Sequence, residues 1–314
     1  MGQEKIGMQV LGSNSAAVLA GIEKAEEAGV QAAWLTTGGA GLDALTLFAS
    51  AAVRTQRILL GTSITPTFPR HPIAVAQQVQ VIAQLAPGRF RLGVGPSSRA
   101  GMVETFGVNY RAPLGHLTEY MRILKALLHQ GSVDFDGRYY KAHARIASPI
   151  EVPVMASALG AAAFELCGAE ADGAISWVCP GTYLRDVALP AMKAGAERVG
   201  RPVPPLIAHA PVGVHDNPSE VRAAVRQQFG GFPRSPFYQA MFTAAGFPET
   251  SQGAWSDAMI DATVLYGGEE QVAGRLKELF SFGVTEVLAS PVLAGRDREA
   301  SLERTLRLLA QVSP

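Results

Sequence analysis

Short runs rich in β-branched residues alternate with helical stretches along almost the whole of this 314-residue chain, and Gly, Pro, Ser or Asn punctuates the joins. That alternation is the pattern of βα units around a parallel sheet, and it leaves two ways to bury the sheet: an open doubly wound layer or a closed barrel. Strands are predicted over Ile6–Val10, Ala32–Leu35, Ile58–Ile64, Phe90–Val94, Val152–Ala156, Gly173–Trp177, Leu206–Val214 and Glu286–Ala289. Helices are predicted over Ser15–Ala28, Asp43–Val53, Pro72–Leu85, Leu114–Leu128, Ala161–Glu170, Thr182–Val199, Pro218–Phe229, Glu269–Phe280 and Asp297–Leu309. Eight such units favour a closed (β/α)8 TIM barrel, because an open sheet usually has fewer strands and a switch point. The length alone would admit two domains, but a barrel with insertions accounts for residues 1–314 as one.

Two connections exceed the usual two to six residues. The first, about 130–150 after the fourth strand, has Val133–Phe135 and Arg138–Tyr140 flanking Asp136-Gly137, a hairpin turn signal. The second lies within 215–285, between strands seven and eight, and holds Gly230-Gly231-Phe232-Pro233, the aromatic stretch Phe237–Phe247 and Trp255. It is either a lid over the barrel mouth or a packed excursion on the outer ring or at a subunit contact.

Composition excludes several partners. With 48% hydrophobic residues, 17% charged, and 27 Lys+Arg against 27 Asp+Glu, the chain has a large core and no polybasic surface for a phosphate backbone. Nucleic acid is not an expected partner. The stretch Met1-Gly2-Gln3-Glu4-Lys5-Ile6 runs into the first strand without a long apolar segment, and no run of about 18 apolar residues occurs. The expectation is a cytoplasmic protein without a membrane partner. Cys167 and Cys179, the only cysteines, lack zinc-ligand spacing and read as buried hydrophobes.

In a barrel of this kind the active site is built just after the C-terminal ends of the strands. Those segments are Thr36-Thr37-Gly38-Gly39, Ser63-Ile64-Thr65-Pro66-Thr67-Phe68, Gly95-Pro96-Ser97-Ser98-Arg99, Ser157-Ala158-Leu159-Gly160 and Val178-Cys179-Pro180. They hold no carboxylate pair, no His/Cys nucleophile arrangement and no metal-ligand cluster, which argues against hydrolysis by the usual routes. Small hydroxyls and approachable backbone suit a large polar cofactor that carries the chemistry itself. At Ser157–Gly160 a strand ends in small residues and a helix starts near Ala161, so unpaired N–H groups would face an anion, or the segment is an ordinary βα turn. Gly93-Val94-Gly95-Pro96-Ser97-Ser98 is only a broken glycine fingerprint. Of the six histidines, His116 stands three residues from Glu119 on a helix, where the two are expected to hydrogen-bond on one face, and His71 belongs to a loop's architecture, while His129, His143, His209 and His215 receive no role.

The stretch Leu60-Gly61-Thr62-Ser63-Ile64-Thr65-Pro66-Thr67-Phe68-Pro69-Arg70-His71-Pro72, followed by Gly88-Arg89-Phe90-Arg91-Leu92-Gly93-Val94-Gly95, closely resembles the bacterial-luciferase-like superfamily. More narrowly, it looks like the branch of oxidoreductases that use the deazaflavin coenzyme F420. The likeness continues through Ala156-Ser157-Ala158-Leu159-Gly160, Ala171-Asp172-Gly173, Tyr266-Gly267-Gly268 and Gly283-Val284-Thr285. It implies a bulge with a non-proline cis peptide at Ser63-Ile64, against whose backbone the deazaflavin ring packs. It also implies cofactor contacts from Thr37, Thr65, Pro96 and Ser97, and a phosphate turn made by Ser157, Ala158, Leu159, Gly160 and Ala161. Arg99, His116 and Trp177 are the expected substrate-pocket residues.

The departures bear on the reaction. Similar enzymes that oxidise glucose 6-phosphate carry an Asp-His pair after strand two and a Glu after strand four, where this chain has Thr37-Gly38 and Ser98. No catalytic residue is assigned, and Thr37 and Ser98 are the candidates. With the proton relay for alcohol oxidation missing, the expectation is hydride transfer to an activated C=C, C=N or C=O bond of a small molecule. The resemblance further implies a homodimer served by a separate cofactor-reducing enzyme. An FMN-dependent monooxygenase and a non-catalytic flavin-binding protein are the alternatives.

Overall fold

In the computed structural model, which describes residues 4–312, eight parallel strands close into a barrel. In chain order the strands are β1 (Lys5–Gln9), β2 (Ala32–Leu35), β3 (Leu59–Thr62), its two-residue continuation β4 (Thr65–Pro66), β5 (Phe90–Gly95), the hairpin β6 (Ser132–Asp136) and β7 (Lys141–Arg145), β8 (Val154–Ser157), β9 (Ala174–Trp177), β10 (Leu206–Val214), β11 (Leu265–Gly267) and β12 (Glu286–Pro291). The ring runs β1, β2, β3, β5, β8, β9, β10, β12 and back to β1. The expected (β/α)8 class is therefore present; Met1-Gly2-Gln3 of the N-terminal stretch lie outside the described residues.

Side chains alternate across the barrel wall. Ala32, Trp34, Met155, Ile175, Ile207 and Leu288 fill the lumen, while Ala33, Leu60, Val94, Ala156 and Ala208 face the helical layer. One indole fits inside because its neighbours are glycines: a Cβ on Gly61 would stand 2.5 Å from the Trp34 ring, and one on Gly7 2.6 Å from its Nε1. Trp34 Nε1 donates to Glu286 at 2.9 Å, and both terminal nitrogens of Arg91 donate to the same carboxylate, at 2.5 and 3.0 Å. Arg91 also lies 4.4 Å over the indole ring. Glu286 opens β12 and Arg91 stands near the start of β5, so this group closes the N-terminal end of the barrel. The open end is the one where the strands finish.

Strand three does not run unbroken over Ile58–Ile64 as expected. Gly61 pairs with Arg91 and Thr65 with Val94, which sets four steps on one strand against three on the other. The extra residue is a β-bulge, and the Ser63-Ile64 peptide inside it is cis, as the resemblance implied. Thr62 repairs the ladder there, its hydroxyl accepting from Gly93 N and donating to Gly93 O, both at 2.8 Å. A Cβ on Gly93 would lie 2.0 Å from the Thr62 carbonyl oxygen, so its glycine serves close strand packing.

Three further expectations are corrected. The hairpin pairs Asp136 with Lys141, leaving Gly137–Tyr140 as its loop, so Arg138–Tyr140 do not form the second strand. The reason is Glu119, whose carboxylate accepts from the backbone N–H of Arg138, Tyr139 and Tyr140 at 2.8, 2.8 and 3.0 Å. The predicted helix Thr182–Val199 is a three-residue turn (Gly181–Tyr183), a π segment (Leu184–Ala188) and a helix (Leu189–Arg198). Pro190 has no N–H to donate and crowds the carbonyl four residues back, so a regular helix cannot pass through. A helix absent from the sequence reading, Arg99–Phe106, follows β5.

Candidate active site

Above the layer of Trp34, Ile175 and Ile207, the next inward positions are Gln9, Thr36, Ser63, Ser157, Trp177, His209 and Ser290. On one half of the mouth they form a polar chain. Ser290 Oγ donates to Gln9 Oε1 at 2.5 Å, Gln9 Nε2 donates to Thr36 Oγ1 at 3.3 Å, and Thr36 Oγ1 donates to the Ser63 carbonyl at 2.7 Å. The other half is aromatic: the Trp177 and His209 rings lie 4.1 Å apart, and Phe229 and Phe232 meet Trp177 edge-on, each at 5.5 Å. No carboxylate occupies these inward positions. Among the described residues no group of three or more His, Cys, Asp or Glu is placed to hold a metal ion.

The bulge brings Ser63 and Ile64 to the rim, with the Ile64 carbonyl accepting from Thr37 N at 3.2 Å. Thr37 is buried and its hydroxyl oxygen accepts from Ala44 N at 3.1 Å, which fastens the start of helix Ala44–Ala52. Thr65 faces away from the lumen: it is in register with Val94, an outer-layer residue, and its fully buried hydroxyl has no partner among the described residues. Pro96 is half-buried, and exposed Ser97 is held in the left-handed region at φ 60, with its carbonyl accepting from Tyr110 OH at 2.9 Å. Ser98 caps helix Arg99–Phe106 by accepting from Gly101 N at 3.1 Å. Arg99 is exposed at the first position of that helix.

 At the end of β8, Ser157, Ala158 and Leu159 lead straight into Gly160, the N-cap of helix Ala161–Glu170, which gives that helix no side-chain cap. Gly160, Ala161 and Ala162 are exposed, no acidic residue lies in the first turn, and a Cβ on Gly160 would meet nothing within 4 Å. An uncapped helix start with open space in front of it fits an anion, held by backbone N–H groups alone.

Of the expected substrate-pocket residues, only Trp177 lines the lumen. His116 is buried under Phe68, ring on ring at 3.9 Å, and shares a 2.7 Å hydrogen bond with Tyr140 OH. The expected pairing of His116 with Glu119 across a helix face is not made, because Glu119 is committed to the hairpin loop. His71 does serve loop architecture, accepting from Ile73 N at the start of helix Pro72–Leu85. His129 contacts the Val152 carbonyl, and His215 accepts from Asn217 N. Cys167 and Cys179 are buried, as expected, and burial pushes both thiols up to about 12. In the long connection, Phe229 and Phe232 reach Trp177, whereas Phe242, Phe247 and Trp255 pack on one another.

Burial pushes the His116 imidazole down to about 4 and that of His209 down to about 3. Both rings are therefore neutral at pH 7. Between about pH 6.5 and pH 4 the unfolded chain binds protons that the folded chain refuses, so stability present above pH 6.5 is lost as the pH falls. Thermal unfolding followed across that range should show this acid limb, and His116→Gln should make it shallower. An unchanged limb in the variant would contradict the assignment for His116.

Gln9, Ser290 and His209 were not singled out from the sequence. Period-two counting from the lumen positions would have found Gln9 and His209 inside predicted strands, and Ser290 one residue beyond one. What the assembled mouth offers is hydrogen bonding, an aromatic wall and an anion-ready helix start, which is equipment for holding a cofactor and an organic substrate rather than for acid–base hydrolysis.

The sequence profile of the luciferase-like monooxygenase family matches residues 4–286. An F420-dependent glucose-6-phosphate dehydrogenase of Mycolicibacterium fortuitum is 32% identical over 177 residues, which take in 54% of this chain and 53% of that protein. The chain thus spans about half the length of the dehydrogenase relatives it matches. A 5,10-methylenetetrahydromethanopterin reductase of Methanolobus tindarius is 25% identical over 300 residues, 88% of this chain and 91% of the relative. Among solved structures, the coenzyme F420 dependent tetrahydromethanopterin reductase from Methanopyrus kandleri superposes with a TM-score of 0.80 at 22% identity, covering 99% of this chain and 98% of that one.

Proposed function

Because the chain belongs to the luciferase-like monooxygenase family, we propose that it is a coenzyme F420-dependent oxidoreductase that transfers hydride to an activated C=C, C=N or C=O bond of a small organic substrate. The observation that carries this reading is the upper lumen: hydroxyls, an amide, an indole and a neutral imidazole, with no carboxylate to take a proton from an alcohol. The relative matched over nearly its whole length is named a reductase, which agrees with that direction.

On this reading the Ser63-Ile64 backbone, Thr37, Pro96 and Ser97 border the deazaflavin ring, and Ala158, Leu159, Gly160 and Ala161 receive its phosphate. Ser157 stands between the two regions, and Thr65 contributes through its backbone, since its side chain faces the helices. Bound and reduced, the deazaflavin supplies a hydride and lacks the oxygen-reactive nitrogen of a flavin. The protein's share is to orient the two partners and exclude water, with Phe229 and Phe232 walling the Trp177 side. Thr37 and Ser98 remain the candidates for proton handling, although both oxygens already serve helix starts. The proposal includes a single domain, a homodimer, a cytoplasmic location and a separate enzyme that reduces the cofactor. No helix among the described residues is long and apolar enough to cross a membrane.

Turnover tests the direction of hydride flow. Protein mixed with reduced coenzyme F420 should reoxidise it on addition of cyclohex-2-enone or a cyclic imine, and should not reduce the oxidised coenzyme with glucose 6-phosphate. Oxygen uptake with reduced FMN would instead favour the monooxygenase, and tight binding without turnover of any acceptor the non-catalytic binder.

A further inference from the structure

His209 stands in the middle of β10, on the lumen face. Ile207 lies in the lumen cluster and Ala208 and Ala210 in the outer layer, so the alternation turns His209 inward. Its register partner on β9 is Trp177, and the two rings touch at 4.1 Å with 49° between their planes. The residue is 6% exposed, and its ring makes no hydrogen bond to any described residue, Nε2 being fully buried without a partner. An unmet buried polar group costs stability, and an apolar side chain of similar size would avoid that cost. Packing alone therefore gives no reason for an imidazole here. Beside it, Val178 is held in the left-handed region at φ 48, an uncommon state for a β-branched residue, and its N–H donates to the His209 carbonyl at 3.2 Å.

We propose that His209 is a catalytic residue that polarises the substrate: with Trp177 it forms the seat for a flat conjugated carbonyl or imine, whose heteroatom accepts a hydrogen bond from a ring N–H. The seat follows from the geometry; that its occupant is then reduced rests on the function proposed above. In the reduction, hydride adds to the electrophilic carbon, the π pair moves onto the heteroatom, and a proton from water completes the product. His209 keeps its own proton throughout. Burial holds the ring neutral at pH 7, so it serves as a hydrogen-bond donor and not as an acid. Phe229 and Phe232, edge-on to Trp177, make the surroundings apolar, where such a bond is worth more than in water.

The test uses 4-(dimethylamino)cinnamaldehyde, a conjugated aldehyde whose visible band moves to longer wavelength when its carbonyl is polarised. It is titrated into the wild type, His209→Gln and His209→Leu, each with and without oxidised coenzyme F420, while binding of the coenzyme is followed separately. The wild type should red-shift the band, H209Q should keep most of the shift, and H209L should lose it. H209L should also unfold at or above the wild-type temperature, because it removes an unpartnered buried polar group. With a reducible acceptor, H209L should lower kcat by about 10²–10³-fold, with coenzyme binding unchanged. An unshifted band in the wild type, an equal shift in H209L, or marked destabilisation of H209L would overturn the proposal. A His209-dependent shift in a protein that fails to bind the coenzyme would support the seat and sink the cofactor reading; coenzyme binding without a shift would do the reverse.

Discussion

Replacing Glu286 by alanine is expected to destabilise the barrel by about 3–5 kcal/mol, the cost of leaving one partner of a buried ion pair alone. Glu286 is 3% exposed and accepts from Trp34 Nε1 and from both terminal nitrogens of Arg91. Arg91 Nε is already buried without a partner among the described residues, so losing Glu286 would leave the guanidinium with no acceptor it now uses. Glu286→Gln keeps an acceptor for the indole and should lose less. Urea or thermal unfolding measures the difference, and a drop in Tm of the order of 10 °C is expected for E286A. The folded fraction should bind its cofactor normally, because this group lies at the closed end of the barrel. A loss below about 1 kcal/mol would show that the lumen tolerates an unpaired Arg91.

Gly160→Asp is expected to raise stability and weaken cofactor binding together. The backbone at Gly160 (φ −89, ψ 161) suits any residue, and the open space in front of it accepts a side chain. Aspartate is a better N-cap than glycine, by a few tenths of a kcal/mol. The same carboxylate would take the free N–H groups at the start of helix Ala161–Glu170 and repel a phosphate placed there. Thermal unfolding should rise slightly while the Kd for coenzyme F420 increases by at least about tenfold, or 1.4 kcal/mol. Unchanged binding in a stabilised variant would remove the phosphate from this turn.

The barrel was legible because its strands repeat one pattern eight times and each buries apolar residues on both faces. The bulge in strand three was legible only through the family resemblance, since a one-residue offset against β5 leaves no mark on a β-branched run. Helix Arg99–Phe106 escaped because Met102 is its only buried residue, which removes the apolar stripe; Ser98 and Gly107, its two caps, were the available signal. The hairpin loop was misjudged because a distant carboxylate, Glu119, decides its length. At the site, the βα turn at Ser157–Gly160 could be read from spacing, whereas the surroundings of His116 and His209 could not. Both are buried, but His116 found Tyr140 and Phe68, and His209 found no polar partner; only the folded barrel distinguishes them.

The most direct measurement is a parallel titration with oxidised coenzyme F420 and with FMN at one fixed ionic strength, following quenching of intrinsic fluorescence. Trp177 at the mouth supplies a reporter. The account predicts saturable quenching by the deazaflavin, with FMN binding at least about tenfold more weakly, a preference of 1.4 kcal/mol or more. Tighter binding of FMN would contradict it.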